Sequence, residues 1–215
     1  MAGRVITIAQ QKGGSGKTTL AAHLAVAASR ANGTRVAILD TDPQGSLGRW
    51  YMTRDERHGD RVVPLGFRTA SAWGARYEAR ALAKDHDLVI IDTPPKMGLD
   101  GRPAIEAADL VVIPVTPSPV DLWATEPTVE LARGGNKPML MVMNRAPARA
   151  RVTADMARAL DALGLEVAVA MIAARVGLAA VMGDGLTVVE VGGNAKAAAE
   201  IAAVLEEVMA ALGRA

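Results

Sequence analysis

Short apolar runs alternate with alanine-rich stretches along the whole of this 215-residue sequence. Several runs are apolar at nearly every position, which is typical of strands covered on both faces. The stretches between them carry apolar residues at helical spacing. This alternation predicts βαβ units, so we expect an α/β fold with a doubly wound, mainly parallel sheet flanked by helices on both faces. Half of the residues are apolar, enough for one substantial core, and we expect residues 1–215 to form a single domain.

The boundaries of the predicted elements follow from these periodicities. We expect strands at 4–10, 35–40, 61–66, 87–92, 109–115, 138–144 and 166–172. We expect helices chiefly at 17–31, 70–84, 121–133, 152–163 and 195–212. Segment 44–80 gathers two tryptophans, both tyrosines and the only phenylalanine without a clean period, so its structure is left open. Ligands of open α/β sheets bind beyond the carboxyl ends of the strands, and functional residues are therefore sought there.

A glycine-rich loop, "QKGGSGKTT" at 11–19, follows the first predicted strand. Its glycines let backbone N–H groups converge on phosphate oxygens, and the helix starting near Gly16 points its positive dipole end at them. Lys17 can reach the β and γ phosphates, and the Thr18 hydroxyl can bind Mg²⁺. The alternative is a strand-to-helix turn without a ligand. The predicted nucleotide-binding residues of the loop are Gly13, Gly14, Ser15, Gly16, Lys17, Thr18 and Thr19.

Aspartates end two further strands. Asp40 and Asp42 stand in "DTDPQGS" after the second strand, and Asp92 opens "DTPP" at the end of the fourth. An aspartate in that position is suited to hold Mg²⁺ through a water, which is the role we predict for Asp92. Asp40 and Asp42 lie two residues apart, on one side of an extended chain, where one can assist the metal shell and the other can orient an attacking water. A single such aspartate is often only a helix cap, but three beside a phosphate loop favour a metal site.

Four motifs in order, "KGGSGKTT", "DTDPQGS", "DTPP" and "PVTPSPVDLWAT", resemble the deviant Walker ATPases of the ParA/MinD group, and most closely the small ParA-type partition ATPases. The resemblance spans nearly the whole chain, although Gln11 replaces the first glycine of the usual phosphate-loop pattern. It implies ATP and Mg²⁺ as cofactors. The residue roles it implies are Lys12 as signature lysine, Lys17 as Walker lysine, Thr18 as magnesium ligand, Asp42 as the residue that positions water, Asp92 as Walker B carboxylate and Asn144 as the reader of the adenine edge. Asp40 is predicted to assist in binding the metal.

The resemblance also explains the second lysine of the loop. In that family two subunits close around two ATP molecules, and the signature lysine of each reaches the partner's phosphates. Held by its own loop, Lys12 would crowd Lys17, whereas a polyanion from another subunit relieves the repulsion. The resemblance thus implies an ATP-state homodimer that hydrolysis resets to monomers. The alternative is that Lys12 is an idle surface charge.

Composition separates this chain from relatives that share the loop. It has no cysteine, which excludes disulfides, cysteine nucleophiles and cysteine-ligated clusters.

The terminal segment "NAKAAAEIAAVLEEVMAALGRA" carries glutamates opposite an apolar stripe of Ile201, Val204, Leu205, Val208 and Leu212, which predicts docking on the core. Acidic faces are repelled by anionic lipid, so no membrane contact is expected. We expect a cytoplasmic, nucleoid-associated protein without an N-terminal helix-turn-helix arm.

Family members of the ParA type bind duplex DNA without sequence preference in the ATP-bound dimer, and a local basic patch is needed for this because the formal net charge is only +1. Between residues 133 and 175 seven basic residues stand against three acidic ones. The candidate DNA contacts are Arg145, Arg149, Arg151, Arg175 and Lys196. The alternative is a solvated charged face, and Arg145 can instead serve the nucleotide because it follows Asn144.

The predicted function is an ATP-driven positioning switch, in which a ParB-like or cargo-adaptor protein stimulates slow hydrolysis. A second hypothesis is a metabolic ATP-dependent ligase or synthetase that acts on a small carboxylate, with substrate groups supplied by segment 44–80 and the tail of "PVTPSPVDLWAT". A third, an adaptor that binds nucleotide without hydrolysing it, is weakened by Asp42. The cargo itself cannot be read from these residues, because its specificity lies in the partner.

Overall fold

The computed structural model describes residues 2–95, 101–147 and 151–215. Their centre is a six-stranded sheet in the order β3-β2-β4-β1-β5-β6, in which every pairing is parallel. The strands are β1 Arg4–Ile8, β2 Val36–Asp40, β3 Gly66–Thr69, β4 Leu88–Asp92, β5 Leu110–Val115 and β6 Met139–Met143. The predicted fold class, a doubly wound parallel α/β sheet, is therefore confirmed.

Helices cover both faces of the sheet. They are α1 Lys17–Asn32, α2 Ser46–His58, α3 Ala75–Leu82, α4 Arg102–Ala107, α5 Pro119–Gly134, α6 Arg151–Ala162, α7 Val176–Ala180 and α8 Ala195–Arg214. Side chains of α1, α2, α7 and α8 share one buried cluster with one face of the strands. Those of α3 to α6 pack on the other face. Alternate strand residues point to opposite faces, which is why the strands are apolar throughout: Ile90 belongs to the first cluster and its neighbour Ile91 to the second layer.

The strand order determines which carboxyl ends meet. Strand β4 lies between β2 and β1, so Asp92 is in register with Asp40 on one side and Ile8 on the other. The phosphate loop begins just after Ile8, and the three predicted acidic residues therefore end beside it. The connection from β1 crosses toward β2 and the connection from β4 crosses the opposite way toward β5, which places this meeting point at the middle of the sheet.

Two predicted strands were wrong in position or kind. The third strand begins at Gly66 rather than occupying 61–66, because Pro64 has no N–H to give to a ladder. Segment 166–172 forms only an isolated bridge from Val167 to Met141. Its backbone turns outward in the middle, where the N–H groups of Val169 and Ala170 donate to the carboxylate of Glu207 at 2.8 and 2.6 Å.

The remaining helices differ modestly from expectation. The predicted helix 70–84 is divided into a short 3-10 turn and α3, and segment 44–80, whose structure was left open, contains α2. The apolar stripe of α8 is confirmed as core-facing, with Val204 and Val208 completely buried. Within the described part of the chain, no helix is both long enough and apolar enough to cross a bilayer.

Candidate functional site

The phosphate loop has a backbone that only glycine tolerates at its turn into α1. Gly16 is the N-cap of α1 with φ of 88°, in the left-handed region. A Cβ at this position would lie 2.5 Å from Nδ2 of Asn144, which is too close for two non-bonded atoms. Gly14 also has a positive φ, 76°. The loop is therefore closed tightly against the end of β6, and its glycines line a space at the start of α1.

That space is an open cavity of about 530 Å³. The loop forms its floor through Gly13, Gly14, Gly16, Lys17, Thr18 and Thr19. One face of α2 forms a wall, and the rest of the lining consists of Asp42, Pro95, Arg145 and residues 179, 182 and 183. The structure thus brings the predicted phosphate-binding residues together in a cavity of a size that suits a small-molecule ligand. Ser15 lies beneath the loop as a buried residue, and the contribution of α2 was not predicted from the sequence.

The Thr18 hydroxyl and Asp92 form the predicted metal pair. Oγ1 of Thr18 donates to Oδ2 of Asp92 at 2.6 Å, while Oδ1 of Asp92 is buried without a hydrogen-bond partner among the described residues. Burial raises the pKa of Asp92 to about 7, and the nearby Asp40 carboxylate acts in the same direction. A buried carboxylate with an unused oxygen beside a hydroxyl fits Mg²⁺, because the ion prefers oxygen ligands and would favour the charged carboxylate.

Lys17 lies at the start of α1 and only 6% of it is exposed. Burial lowers the pKa of its ammonium, and the carboxylates of Asp92 and Asp42 partly offset that effect. A desolvated cation at the N-terminus of a helix interacts strongly with phosphate, since little water screens the charge. The position of Lys17 agrees with its predicted role as the Walker lysine.

The two aspartates after β2 occupy different environments. Asp42 is half-buried and lines the cavity, where its Oδ1 also accepts the N–H of Gln44 at 2.9 Å. Asp40 is buried, and its two oxygens accept the N–H groups of Asp42 at 3.0 Å and Gly48 at 2.9 Å. Of these two aspartates, Asp42 lines the cavity and Asp40 does not, and the role of Asp42 in positioning water remains a prediction. Asp40 fixes the turn into α2, which favours a structural role over the predicted metal contact.

Asn144 is buried at the end of β6, and two hydrogen bonds hold its side chain in place. Nδ2 donates to the carbonyl of Ser15 at 2.7 Å, and Oδ1 accepts the N–H of Arg145 at 3.0 Å. Arg145 takes a positive φ of 53°, which turns its side chain toward the cavity lined by the phosphate loop. Asn144 thus braces the loop, and its predicted contact with adenine remains a prediction. For Arg145 the structure favours the nucleotide over DNA.

Lys12 lies outside the turn of the loop and contacts α5. Its Nζ is 2.8 Å from Oδ2 of Asp121, whose side chain is 6% exposed while that of Lys12 is 37% exposed. Asp121 stands in the first turn of α5, where its N–H donates to the N-cap Ser118. The neighbouring Gln10 side chain donates to Thr125 at 3.0 Å, which joins the loop to the same helix. Asp121 lies within the motif "PVTPSPVDLWAT" but was not among the predicted site residues, although an acidic residue just after "PSP" was a signal available in the sequence.

The five candidate DNA contacts lie in unlike environments. Arg151 and Lys196 are exposed at the first turns of α6 and α8. Arg175 is half-buried, and two of its nitrogens donate to Glu200 at 3.0 and 2.5 Å. Arg149 lies outside the described residues, and Arg145 lies at the cavity. Arg151 and Lys196 are therefore the candidates most available to an external polyanion.

A strand, glycine loop and helix with this metal pair define a P-loop nucleotide-binding protein. The family model described as CobQ/CobB/MinD/ParA nucleotide binding domain matches residues 6–189. The chain therefore belongs to this family, and it is a P-loop ATPase of the ParA/MinD type.

Individual relatives agree with that assignment. The chain is 30% identical over 212 residues to the maintenance of carboxysome distribution protein A of Halothiobacillus neapolitanus, covering 95% of each chain. Its fold is similar to that of a Cyanothece McdA–ATP complex, with a TM-score of 0.77, 18% identity, and coverage of 99% of this chain and 97% of that one. It is also similar to the septum site-determining protein MinD of Pyrococcus horikoshii with Mg-ADP, with a TM-score of 0.79, 20% identity and 95% coverage of both chains. The predicted cofactors, ATP and Mg²⁺, thus match what solved members of the fold contain.

Proposed function

We propose that this protein is an ATP-driven positioning switch: an ATPase that dimerises around ATP, binds duplex DNA without sequence preference as a dimer, and returns to monomers on hydrolysis. Lys17 and the loop amides hold phosphate, Thr18 and Asp92 hold Mg²⁺, and Asp42 positions the attacking water. Binding energy that exists only while the γ phosphate is present would set the dimer population.

The observation that carries this proposal is the position of Lys12. Its ammonium binds Asp121 on α5, and its side chain remains 37% exposed. Lys12 does not itself line the cavity, but the next residue, Gly13, does. A lysine that served its own nucleotide would be expected among the groups around Lys17. A partly exposed lysine next to a residue that lines the cavity is suited to meet the phosphates of a second copy, where the charge of the incoming nucleotide outweighs that of Asp121.

The proposed cargo is a protein assembly or a DNA locus recognised by an adaptor. Full-length likeness to a protein named for carboxysome distribution supports positioning over the synthetase alternative. About three phosphate contacts per subunit would give a salt slope near −3, and a dimer would double it to about −6, so DNA binding would follow dimerisation.

Sedimentation equilibrium and DNA mobility shift test the switch. The Asp42→Ala chain is suitable because its turnover should be slow. Its oligomeric state and its DNA binding are measured with ATP, with ADP and without nucleotide. ATP alone should give dimers and DNA binding. Adding Lys12→Ala to this chain should abolish the dimer while ATP binding persists, whereas Lys84→Ala, a change at an exposed lysine after α3, should have no effect. Monomers in all three nucleotide states would contradict the proposal.

A further inference from the structure

Helix α2 presents one continuous face to the nucleotide cavity. Ser46, Arg49, Trp50 and Thr53 all line it, and their spacing of three, four and seven residues places them on the same side of the helix. The same cavity is lined by Lys17 and Asp42. A ligand held by the phosphate loop would therefore lie against this face of α2.

Arg49 differs from the other arginines of α2 in having no carboxylate partner in the part of the chain that the structure describes. Arg54 is buried and pairs with Glu190 at 2.7 Å, and Arg57 pairs with Asp184 at 2.5 Å. Across residues 2–95, 101–147 and 151–215, no carboxylate lies within 4.0 Å of the Arg49 guanidinium. Arg49 is thus an exposed cation whose described neighbours at the cavity include another cation, Lys17. An arginine in this environment can form strong charge-assisted hydrogen bonds with an anionic ligand.

The backbone that carries Arg49 is firmly held. The preceding residue, Gly48, donates its N–H to Oδ2 of Asp40 at 2.9 Å, and Asp40 is paired in the sheet with Asp92. The following residue, Trp50, is 3% exposed and donates from Nε1 to the carbonyl of Leu186 at 3.2 Å. Arg49 therefore projects from a helix anchored to Asp40 at the end of β2 and to the Leu186 carbonyl, and a rigid element of this kind can orient a ligand.

We propose that Arg49 binds the nucleotide phosphates from the α2 side of the cavity, as a second cation beside Lys17. Arginine suits this position because its guanidinium stays charged and can make two parallel hydrogen bonds to phosphate oxygens. This assignment rests on ATP being the ligand of the cavity, and it adds a phosphate-binding residue to the proposed switch.

Equilibrium binding of ATP and of ADP, each with Mg²⁺, tests the assignment by calorimetry. Arg49→Ala should weaken ATP binding about tenfold, the loss expected for one charge-assisted hydrogen-bonded contact. Arg49→Lys should retain part of the affinity, since it keeps the charge but loses the paired donors. Arg57→Ala is the matched control on the same helix, and it should bind both nucleotides like the unmodified chain. The midpoint of thermal unfolding without nucleotide confirms that each variant is folded.

The outcomes separate this assignment from the proposed function. A folded Arg49→Ala chain that binds ATP within about twofold of the unmodified chain would overturn the assignment alone. Equal weakening by Arg57→Ala would overturn it as well, since the effect would then be one of overall charge. An unmodified chain that binds no nucleotide would overturn both. A larger loss for ATP than for ADP would support a γ-phosphate contact, and an equal loss would support a contact to the inner phosphates.

Discussion

The ammonium of Lys12 is held 2.8 Å from a carboxylate oxygen of Asp121, a residue more than one hundred positions away in the chain. The carboxylate is nearly buried, and Ser118 donates its hydroxyl to the same oxygen. In the proposed switch, Lys12 must exchange this partner for the phosphates of a second subunit. The pair therefore opposes dimerisation, and its strength contributes to the ATP concentration at which dimers form.

Replacing Asp121 with Asn should make the dimer form more readily. The amide keeps the shape of the carboxylate but removes the charge that holds Lys12, so dimerisation of the Asp42→Ala chain should require less ATP or less protein. Sedimentation equilibrium over a series of protein concentrations measures the shift. Glu130→Gln, at an exposed position of the same helix, is the control. A dimer as weak as that of the control, or weaker, would show that Asp121 does not restrain Lys12.

Asp42→Ala should stall hydrolysis while leaving nucleotide binding intact. Asp42 lines the cavity but is not part of the Thr18 and Asp92 pair, so its removal should spare Mg²⁺ and phosphate contacts. Loss of general-base or water-positioning help typically costs 10²-fold to 10⁴-fold in rate. Single-turnover phosphate release and ATP affinity, measured on the same preparation, separate the two effects. Turnover at the rate of the unmodified chain would remove Asp42 from the mechanism.

Among the proposed DNA contacts, Arg151 and Arg175 should respond differently to substitution by alanine. Arg151 has a side chain 91% exposed with Asp155 at 3.7 Å, whereas Arg175 is held by Glu200. We expect Arg151→Ala to weaken ATP-dependent DNA binding and to lower its salt slope by about one per subunit. Arg175→Ala should leave the slope unchanged. Mobility shift at several salt concentrations measures both, and the opposite order would place the DNA surface elsewhere.

Acid should destabilise this protein through His23. Its ring is buried on α1, Nδ1 lies 2.7 Å from the Thr19 carbonyl, and Nε2 has no partner among the described residues. Burial lowers the pKa of His23 to about 4, although the Thr19 carbonyl and the Glu190 carboxylate act in the opposite direction. The unfolded chain, with a histidine pKa of about 6.5, binds the proton first. The free energy of unfolding should therefore fall between about pH 6.5 and pH 4, by up to about 3 kcal/mol, and level off below.

Urea unfolding of the unmodified chain and of His23→Gln, at pH 7 and pH 5, isolates this effect. Glutamine does not titrate, so the variant should lose less stability over the interval. Asp92 titrates in both proteins and its contribution cancels in the difference. His58→Gln is the control, at a half-buried ring at the end of α2 whose Nε2 lies 2.8 Å from the Asp184 carbonyl. Equal losses in the His23 variant and the unmodified chain would mean that the buried ring does not control acid stability.

Much of the fold followed from local pattern. The runs that became β1, β2, β4, β5 and β6 begin and end within one residue of expectation, except that β1 ends two residues early. Strands buried on both faces are continuously apolar, which makes them easy to recognise. The elements that were wrongly predicted or left open depend on contacts between distant parts of the chain. Segment 166–172 has the composition of a strand, but Glu207 of α8 takes the N–H of Ala170, which is the next donor after Ala168 in a regular ladder with β6. Helix α2 has no clean apolar period because Arg54 is buried against Glu190, a partner 136 residues away.

The sequence by itself determined the phosphate loop, since the strand, the glycines and the first turn of α1 are contiguous and their geometry depends only on neighbours along the chain. Only the tertiary structure decided which other residues join it. Placing β4 between β1 and β2 brings Asp92 to Thr18, the packing of α5 gives Lys12 its partner, and α2 turns Arg49 toward the cavity. These contacts join positions separated by tens of residues, and they exist because the order of strands in the sheet, rather than their order in the chain, decides which ends meet.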